Sequence, residues 1–131
     1  MARRVLDTSV LVHHWRRHPV PVRDRSEDQT RQWARDLLAL HKAEGIVTPV
    51  EIEFLAGTAS PQELQHARAY LAEMPLIDHG SVVDADWREA RRLAQRVPAD
   101  GRRRQLGDCL IRAIARRINC EVISFDESFP R

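Results

Sequence analysis

An α/β domain with a short parallel sheet is the fold this sequence predicts, and three observations carry the prediction. Apolar, mostly β-branched residues begin almost at the N-terminus, in Arg4-Val5-Leu6-Asp7-Thr8-Ser9-Val10-Leu11-Val12, and read as a central strand covered on both faces. Short apolar runs follow at Ile46-Val47, Leu76-Ile77 and Glu121-Val122-Ile123-Ser124, with amphipathic helical patterns between them. That alternation is what parallel β-α-β units produce. The length of 131 residues suits a single domain over 1–131 with one core of ordinary size.

Taken in order, the first run is interrupted by Asp7. An unpaired ionised carboxylate inside a core costs several kcal/mol, so Asp7 belongs where the strand ends. Read alone, it serves equally as a cap for the next element, helped by Thr8 and Ser9, or as a functional group on the sheet edge where α/β proteins bind ligands. His13, His14 and His18 do not read as a metal set. Pro19 and Pro21 break any helix that would fix their spacing, and the polar run to Asp28 reads as a mobile surface segment. Trp33, Leu37, Leu38 and Leu40 predict an amphipathic helix from about Gln29 to Glu44, stopped by Gly45.

Thr48-Pro49-Val50-Glu51 then predicts a helix start with an N-cap threonine, proline at the first helical position and a reciprocal glutamate. Ile52, Leu55 and Ala56 form its expected buried stripe, which leaves Glu53 without an evident structural task. Ser60-Pro61-Gln62-Glu63 repeats the capping pattern and opens a helix with Leu64, Ala67 and Leu71 inward, ending before Pro75. Another helix starts at Ser81-Val82-Val83-Asp84, carries Trp87, Ala90 and Leu93, and closes before Pro98. Beyond the basic loop Ala99–Arg104, the last helix runs from about Gln105 to Ile118 on a face of Leu106, Leu110, Ala113, Ile114 and Ile118. Asp108 lies in its first turn, where an acid complements the helix dipole.

Composition narrows the function classes. No apolar stretch approaches the roughly 18 to 20 residues that span a bilayer, and the Arg3-Arg4 start is followed by too short a run for a signal peptide, so a cytoplasmic protein without membrane contact is expected. Cys109 and Cys120 lack CxxC spacing and read as reduced packing residues. Twenty of the 21 basic residues are arginine, Lys42 being the exception. Ten arginines lie between Arg88 and Arg117, against Glu89, Asp100 and Asp108. Such a stripe fits either a phosphate backbone, gripped by bidentate guanidinium forks, or a solvated helix face.

Topology supplies the discriminating step. In a parallel sheet every strand ends, and every crossover helix begins, on one edge. Asp7 and Asp126 lie at strand ends, and Glu53 and Asp108 near helix starts, so four carboxylates converge there. Two like charges about 4 Å apart repel by about 4 kcal/mol at an effective dielectric of about 20, so such a cluster takes up a cation or protons. Hard oxygen ligands without cysteine or clear histidine participation point to Mg²⁺, or Mn²⁺ as an alternative.

Leu6-Asp7-Thr8-Ser9-Val10-Leu11, Glu53-Phe54-Leu55-Ala56-Gly57, Asp108-Cys109-Leu110-Ile111-Arg112-Ala113 and Ser124-Phe125-Asp126-Glu127-Ser128-Phe129 together resemble the successive motifs of PIN-domain ribonucleases. The layout is similar to the VapC toxins of bacterial type II toxin-antitoxin modules. The resemblance implies a three-layer α/β/α sandwich and Mg²⁺-dependent endonucleolytic cleavage of RNA. It also implies a homodimer, and inhibition by a cognate antitoxin whose C-terminal segment wraps the toxin. Asp7, Glu53, Asp108 and Asp126 then form the acidic catalytic quartet. Asp7, Asp108 and Asp126 bind metal, Ser124 and Thr8 support the site, and Glu53 binds a second metal or orients water. Two departures accompany the match. Serine stands at 124 where the family more often has threonine, and the chain ends at Phe129-Pro130-Arg131 where members usually add an edge strand, leaving that edge open or covered by a neighbouring subunit.

The chemistry expected on this basis is metal-assisted phosphodiester hydrolysis, with Arg102, Arg103, Arg104 and Arg112 gripping the RNA backbone. Few aromatics make base stacking a poor source of specificity. The rival reading is a PIN-like module that binds RNA or protein without cutting. A second rival, a haloacid dehalogenase-like phosphatase, wants another aspartate two residues beyond the first, and that position is Ser9.

Overall fold

The computed structural model describes residues 3–131. Its elements are β1 (Arg3–Leu6), α1 (Thr8–Arg16), a 3₁₀ turn (Val22–Asp24), α2 (Glu27–His41), α3 (Thr48–Ala56), α4 (Pro61–Ala72), α5 (Asp84–Ala94), α6 (Leu106–Arg117) and β2 (Cys120–Ile123). The fold is α/β, as the sequence predicts. β1 pairs in parallel with β2, from Arg3 opposite Cys120 to Leu6 opposite Ile123. The expected second and third strands are reduced to single parallel bridges, Val5 with Gly45 and Ile46 with Leu76. Backbone hydrogen bonds continue the ladder through them: Glu44 N–H to Arg4 C=O (2.9 Å), Leu6 N–H to Gly45 C=O (3.1 Å) and Ile46 N–H to Pro75 C=O (3.0 Å).

The spatial order is therefore β2, β1, residues 44–46, residues 75–77, with β1 inside, as expected of a strand whose Val5 and Leu6 are fully buried. From β1 the chain steps twice in one direction, then returns to β1's other side. Right-handed crossovers consequently put α1–α4 over one face and α5 and α6 over the other, with the switch point between β1 and β2. The main core joins Val5, Leu6, Leu11, Leu37, Ile46, Tyr70, Ile111 and Ile114, and a smaller cluster of Ala90, Leu93, Cys109, Leu110 and Ala113 seals α5 on α6. Burying each large aliphatic side chain contributes roughly 1.5–3 kcal/mol. Both cysteines are free and buried. No helix among the described residues is long and apolar enough to cross a membrane.

Several local expectations are corrected. β1 stops at Leu6, and Thr8–Arg16 is helical, so His13 and His14 stand on a helix that ends before Pro19 rather than in a mobile segment. His14 is held there by stacking on Trp33 (centroids 4.1 Å apart) and by a hydrogen bond between Nδ1 and the Tyr70 hydroxyl (2.6 Å). α2 ends at His41 with Lys42 in the left-handed region (φ 52°), while Gly45 lies in the sheet. Thr48 is not an N-cap. It is the first residue of α3, and its N–H and hydroxyl both donate to the buried Asp78 carboxylate at 2.8 Å. α3 buries Pro49, Val50 and Phe54 and leaves Ile52 58% exposed. Val50, Ile52, Phe54, Leu55 and Ala56 make the helix apolar nearly all round, so the pattern cannot fix its rotation. Leu106, expected inward, is 70% exposed at the open end of α6.

Among the described residues no strand pairs with β2 on the side away from β1, and Phe129 folds into the main core.

Candidate active site

Asp7 follows the last residue of β1 at the switch point. Its backbone N–H donates to Ile123 C=O (2.9 Å), which ties the turn to β2. The residue is the N-cap of α1 by position, but its side chain makes no capping hydrogen bond. Instead Oδ2 accepts from Ser9 Oγ (2.8 Å) and Ser124 Oγ (2.7 Å). Oδ1 is buried without a hydrogen-bond partner, on a residue only 2% exposed. A buried carboxylate with one orphaned oxygen is costly unless a cation or proton meets it, which argues against the capping role.

The two serines knit both strand ends together. Ser9 Oγ accepts from Phe125 N–H (3.0 Å) and Ser124 Oγ accepts from Asp126 N–H (3.1 Å). Asp126 is thereby fixed in the turn after β2, where its Oδ1 accepts from Ser128 N–H (2.9 Å) and faces Arg102 Nη1 at 3.8 Å.

Two helices bring the other carboxylates, Glu53 from the second turn of α3 and Asp108 from the first turn of α6. Glu53 Oε1 accepts from Thr8 Oγ1 (2.7 Å), which links α3 to the first turn of α1. Its carboxylate also lies against Gly107, so closely that a Cβ there would collide with it. Glycine at this position lets α6 approach α3, and Asp108 follows directly. The Asp108 carboxyl is half-buried and pushed up to about 7, first by burial and then by the negative charges of Asp7, Asp126 and Glu53, with Arg104 opposing. All four predicted carboxylates therefore share one electrostatic environment on the carboxyl edge.

The donors are hard oxygens, and the orphaned Asp7 Oδ1 is an acceptor of the kind a divalent cation takes, so the set fits Mg²⁺ or Mn²⁺ chemically. Among the described residues no group of three or more His, Cys, Asp or Glu side chains stands in metal-holding geometry. Chemically, the arrangement can exchange a proton near neutrality at Asp108 and attract cations.

The predicted backbone-gripping arginines diverge. Arg103 is exposed, and Arg102 faces Asp100 and Asp126 at 3.7 and 3.8 Å. Arg104 donates to the carbonyls of Arg96 (2.9 Å) and Ser128 (2.7 Å). Arg112 is partly buried, with Nε lacking an acceptor, beside a cavity of about 180 Å³ lined also by Glu121, Phe129 and Arg131. Farther along the stripe, Arg117 clamps the buried Asp86 with both carboxylate oxygens (2.7 and 3.0 Å), and Arg116 meets Glu89 at 2.8 Å.

Ser9 and Gly107 escaped the sequence-based site list. A hydroxyl two residues beyond a strand-end aspartate and a glycine immediately before a helical one were the available signals.

Comparison with curated proteins returns no match. The PIN domain family model matches residues 4–131, a span that contains all four carboxylates and both serines. A carboxylate cluster at the switch point of a short parallel sheet and a match over nearly the whole chain agree, and the chain belongs to the PIN domain family, whose members are generally nucleases.

Proposed function

We propose that the protein is a divalent-metal-dependent endoribonuclease acting as the toxin of a type II toxin-antitoxin pair. The observation that carries the nuclease reading is the orphaned Asp7 Oδ1 in the same carboxylate cluster as Asp108, whose carboxyl is pushed up to about 7 first by burial and then by the charges of Asp7, Asp126 and Glu53. Mutual repulsion of this size is tolerated where a cation offsets it in the working state. Asp7, Asp108 and Asp126 would hold Mg²⁺ or Mn²⁺ through their carboxylate oxygens.

When bound, such an ion offsets charge on the scissile phosphate and lowers the pKa of water. The chain's own residues supply the rest. Ser9 and Ser124 aim the Asp7 carboxylate, and Thr8 fixes Glu53 where it can orient water. The Asp108 carboxyl can hold or release a proton near neutral pH. Arg102 and Arg103 stand on the exposed loop before α6, where they would meet phosphates of the substrate.

The toxin role, the antitoxin partner and the homodimer rest on the resemblance of the four motifs to VapC-like toxins. The deciding experiment incubates total cellular RNA with purified protein in Mg²⁺, in EDTA, and with Asp7→Asn or Asp108→Asn. Discrete fragments that require metal and both aspartates are expected. Cleavage that survives EDTA or either substitution overturns the reading, and RNA binding without cleavage replaces it with the non-catalytic module. Growth arrest on expression, relieved by the product of an adjacent small reading frame, is the expected toxin phenotype.

A further inference from the structure

Ser9, Val12, His13 and Arg16 share one face of α1 and, with Arg17 at its C-cap, line a surface cavity of about 410 Å³ that no carboxylate lines. Ser9 anchors this face to the carboxylate edge through Asp7 and Ser124. Val12 and Arg16 also line a second cavity of about 330 Å³, whose wall includes Glu53 and Glu63, so the two cavities adjoin at these side chains. None of the ion pairs among the described residues engages Arg16 or Arg17. Arg17 Nε donates to His13 Nε2 (2.8 Å), which aligns that guanidinium along the face. By contrast Arg104, Arg116 and Arg117 in the arginine stripe are occupied by protein acceptors.

Phe125, between Ser124 and Asp126, adjoins this face through His13, and the His41 ring lies against it with centroids 5.9 Å apart. Phe125 is 49% exposed and meets the His13 ring edge-on, with centroids 5.1 Å apart. An exposed aromatic followed by unpaired arginines is the combination that holds unpaired nucleotides, one part stacking on a base and the other tracking phosphates.

We propose that single-stranded RNA leaves the carboxylate edge along this face of α1, with a base stacked on Phe125 and the following phosphates held by Arg16 and Arg17. The proposal rests on the nuclease reading and adds to it a binding track on this face of α1. Seven residues separate Ser9 from Arg16, about 10 Å at 1.5 Å per helical residue. Continuity with the carboxylates favours RNA over an acidic protein segment.

The test measures binding of a labelled single-stranded RNA in EDTA across a salt series, and steady-state cleavage in Mg²⁺, with the fold of each variant checked by circular dichroism. R16Q/R17Q is expected to bind roughly tenfold more weakly, with the slope of log affinity against log salt reduced by about 1.4 for two lost phosphate contacts. KM rises with kcat within about twofold, and R16K/R17K recovers the slope. Phe125→Ala weakens binding of unpaired RNA but not of a duplex.

Unchanged affinity and slope in R16Q/R17Q overturn the proposal; if wild type still cuts in an Asp108-dependent way, the nuclease reading stands without it. Weakened binding with no cleavage by wild type keeps the track and removes the nuclease. Poly-glutamate binding that is lost in R16Q/R17Q, with no RNA binding by wild type, marks a protein-docking face and also overturns the proposal.

Discussion

Asp108 holds its proton up to about 7 because its carboxyl is half-buried and faces Asp7, Asp126 and Glu53. In the unfolded chain the same group titrates near its ordinary value of about 4. Between those values the folded state binds the extra proton, so this group's contribution to stability is intact in acid and is lost as pH rises from about 4 to about 7. His14 acts oppositely. Burial and the nearby His18 lower it from 6.5 to about 4, so its contribution is lost as pH falls through that window. Subtracting one protein's stability from another's cancels His14. In EDTA, Asp108→Asn should therefore match wild type in melting temperature near pH 4 and exceed it progressively toward pH 7. Thermal melts at intervals of half a pH unit check this, and an offset that stays constant with pH contradicts it. Ser9, by contrast, was legible only as a cap helper, because its double role toward Asp7 and Phe125 requires β2 alongside.

Elements were legible to the extent that their signals were local. Ser60 accepts from Glu63 N–H (3.1 Å), as the capping pattern predicts, although Glu63 reaches back to Ala59 N–H rather than to Ser60. Thr48 presents the same pattern and does something else, because Asp78, 30 residues away, outcompetes local capping by taking both of its donors. Gly45 is a similar case. Sequence makes it a helix stop, whereas in the fold it brings two sheet segments into contact: a Cβ there would collide with the Pro75 carbonyl. That neighbour is backbone and cannot swing aside. Gly45→Ala should cost about 2–3 kcal/mol, read as a lower urea midpoint with an unchanged m-value. A loss below about 0.5 kcal/mol would show that the ladder between Ile46 and Pro75 yields easily.

For the molecule as a whole, the reversal of direction at β1 gathers strand ends and helix starts from both faces onto one edge. The same reversal leaves the folded protein carrying unrelieved repulsion, so a cation that binds the native edge should stabilise it. Mg²⁺ at about ten times its Kd would contribute about 1.4 kcal/mol, about 5 °C in Tm for a domain of this size. A Mg²⁺ titration followed by calorimetry should show this rise for wild type and none for Asp7→Asn. An equal rise in both proteins would assign the effect to ions bound elsewhere.

Sequence by itself determined the fold class and the central place of β1, and it singled out four acidic positions as candidates, because period, strand-end charge and the β-α-β rule operate over short ranges or through topology alone. The tertiary structure decided how each carboxylate is held. Asp7 receives two serine hydroxyls, one from the first turn of α1 and one from the end of β2, Glu53 is set by Thr8 and by the room at Gly107, and Asp108 is tuned by burial and by the other three. It also decided which arginines are free, since Arg117 and Arg104 are spent on acceptors that no spacing rule reveals, while Arg16 is not. The physical reason is common to all of these. Hydrogen-bond partnership and charge coupling depend on distances across the fold, and pairs such as Ser124 with Asp7, 117 residues apart, become neighbours only when the sheet closes.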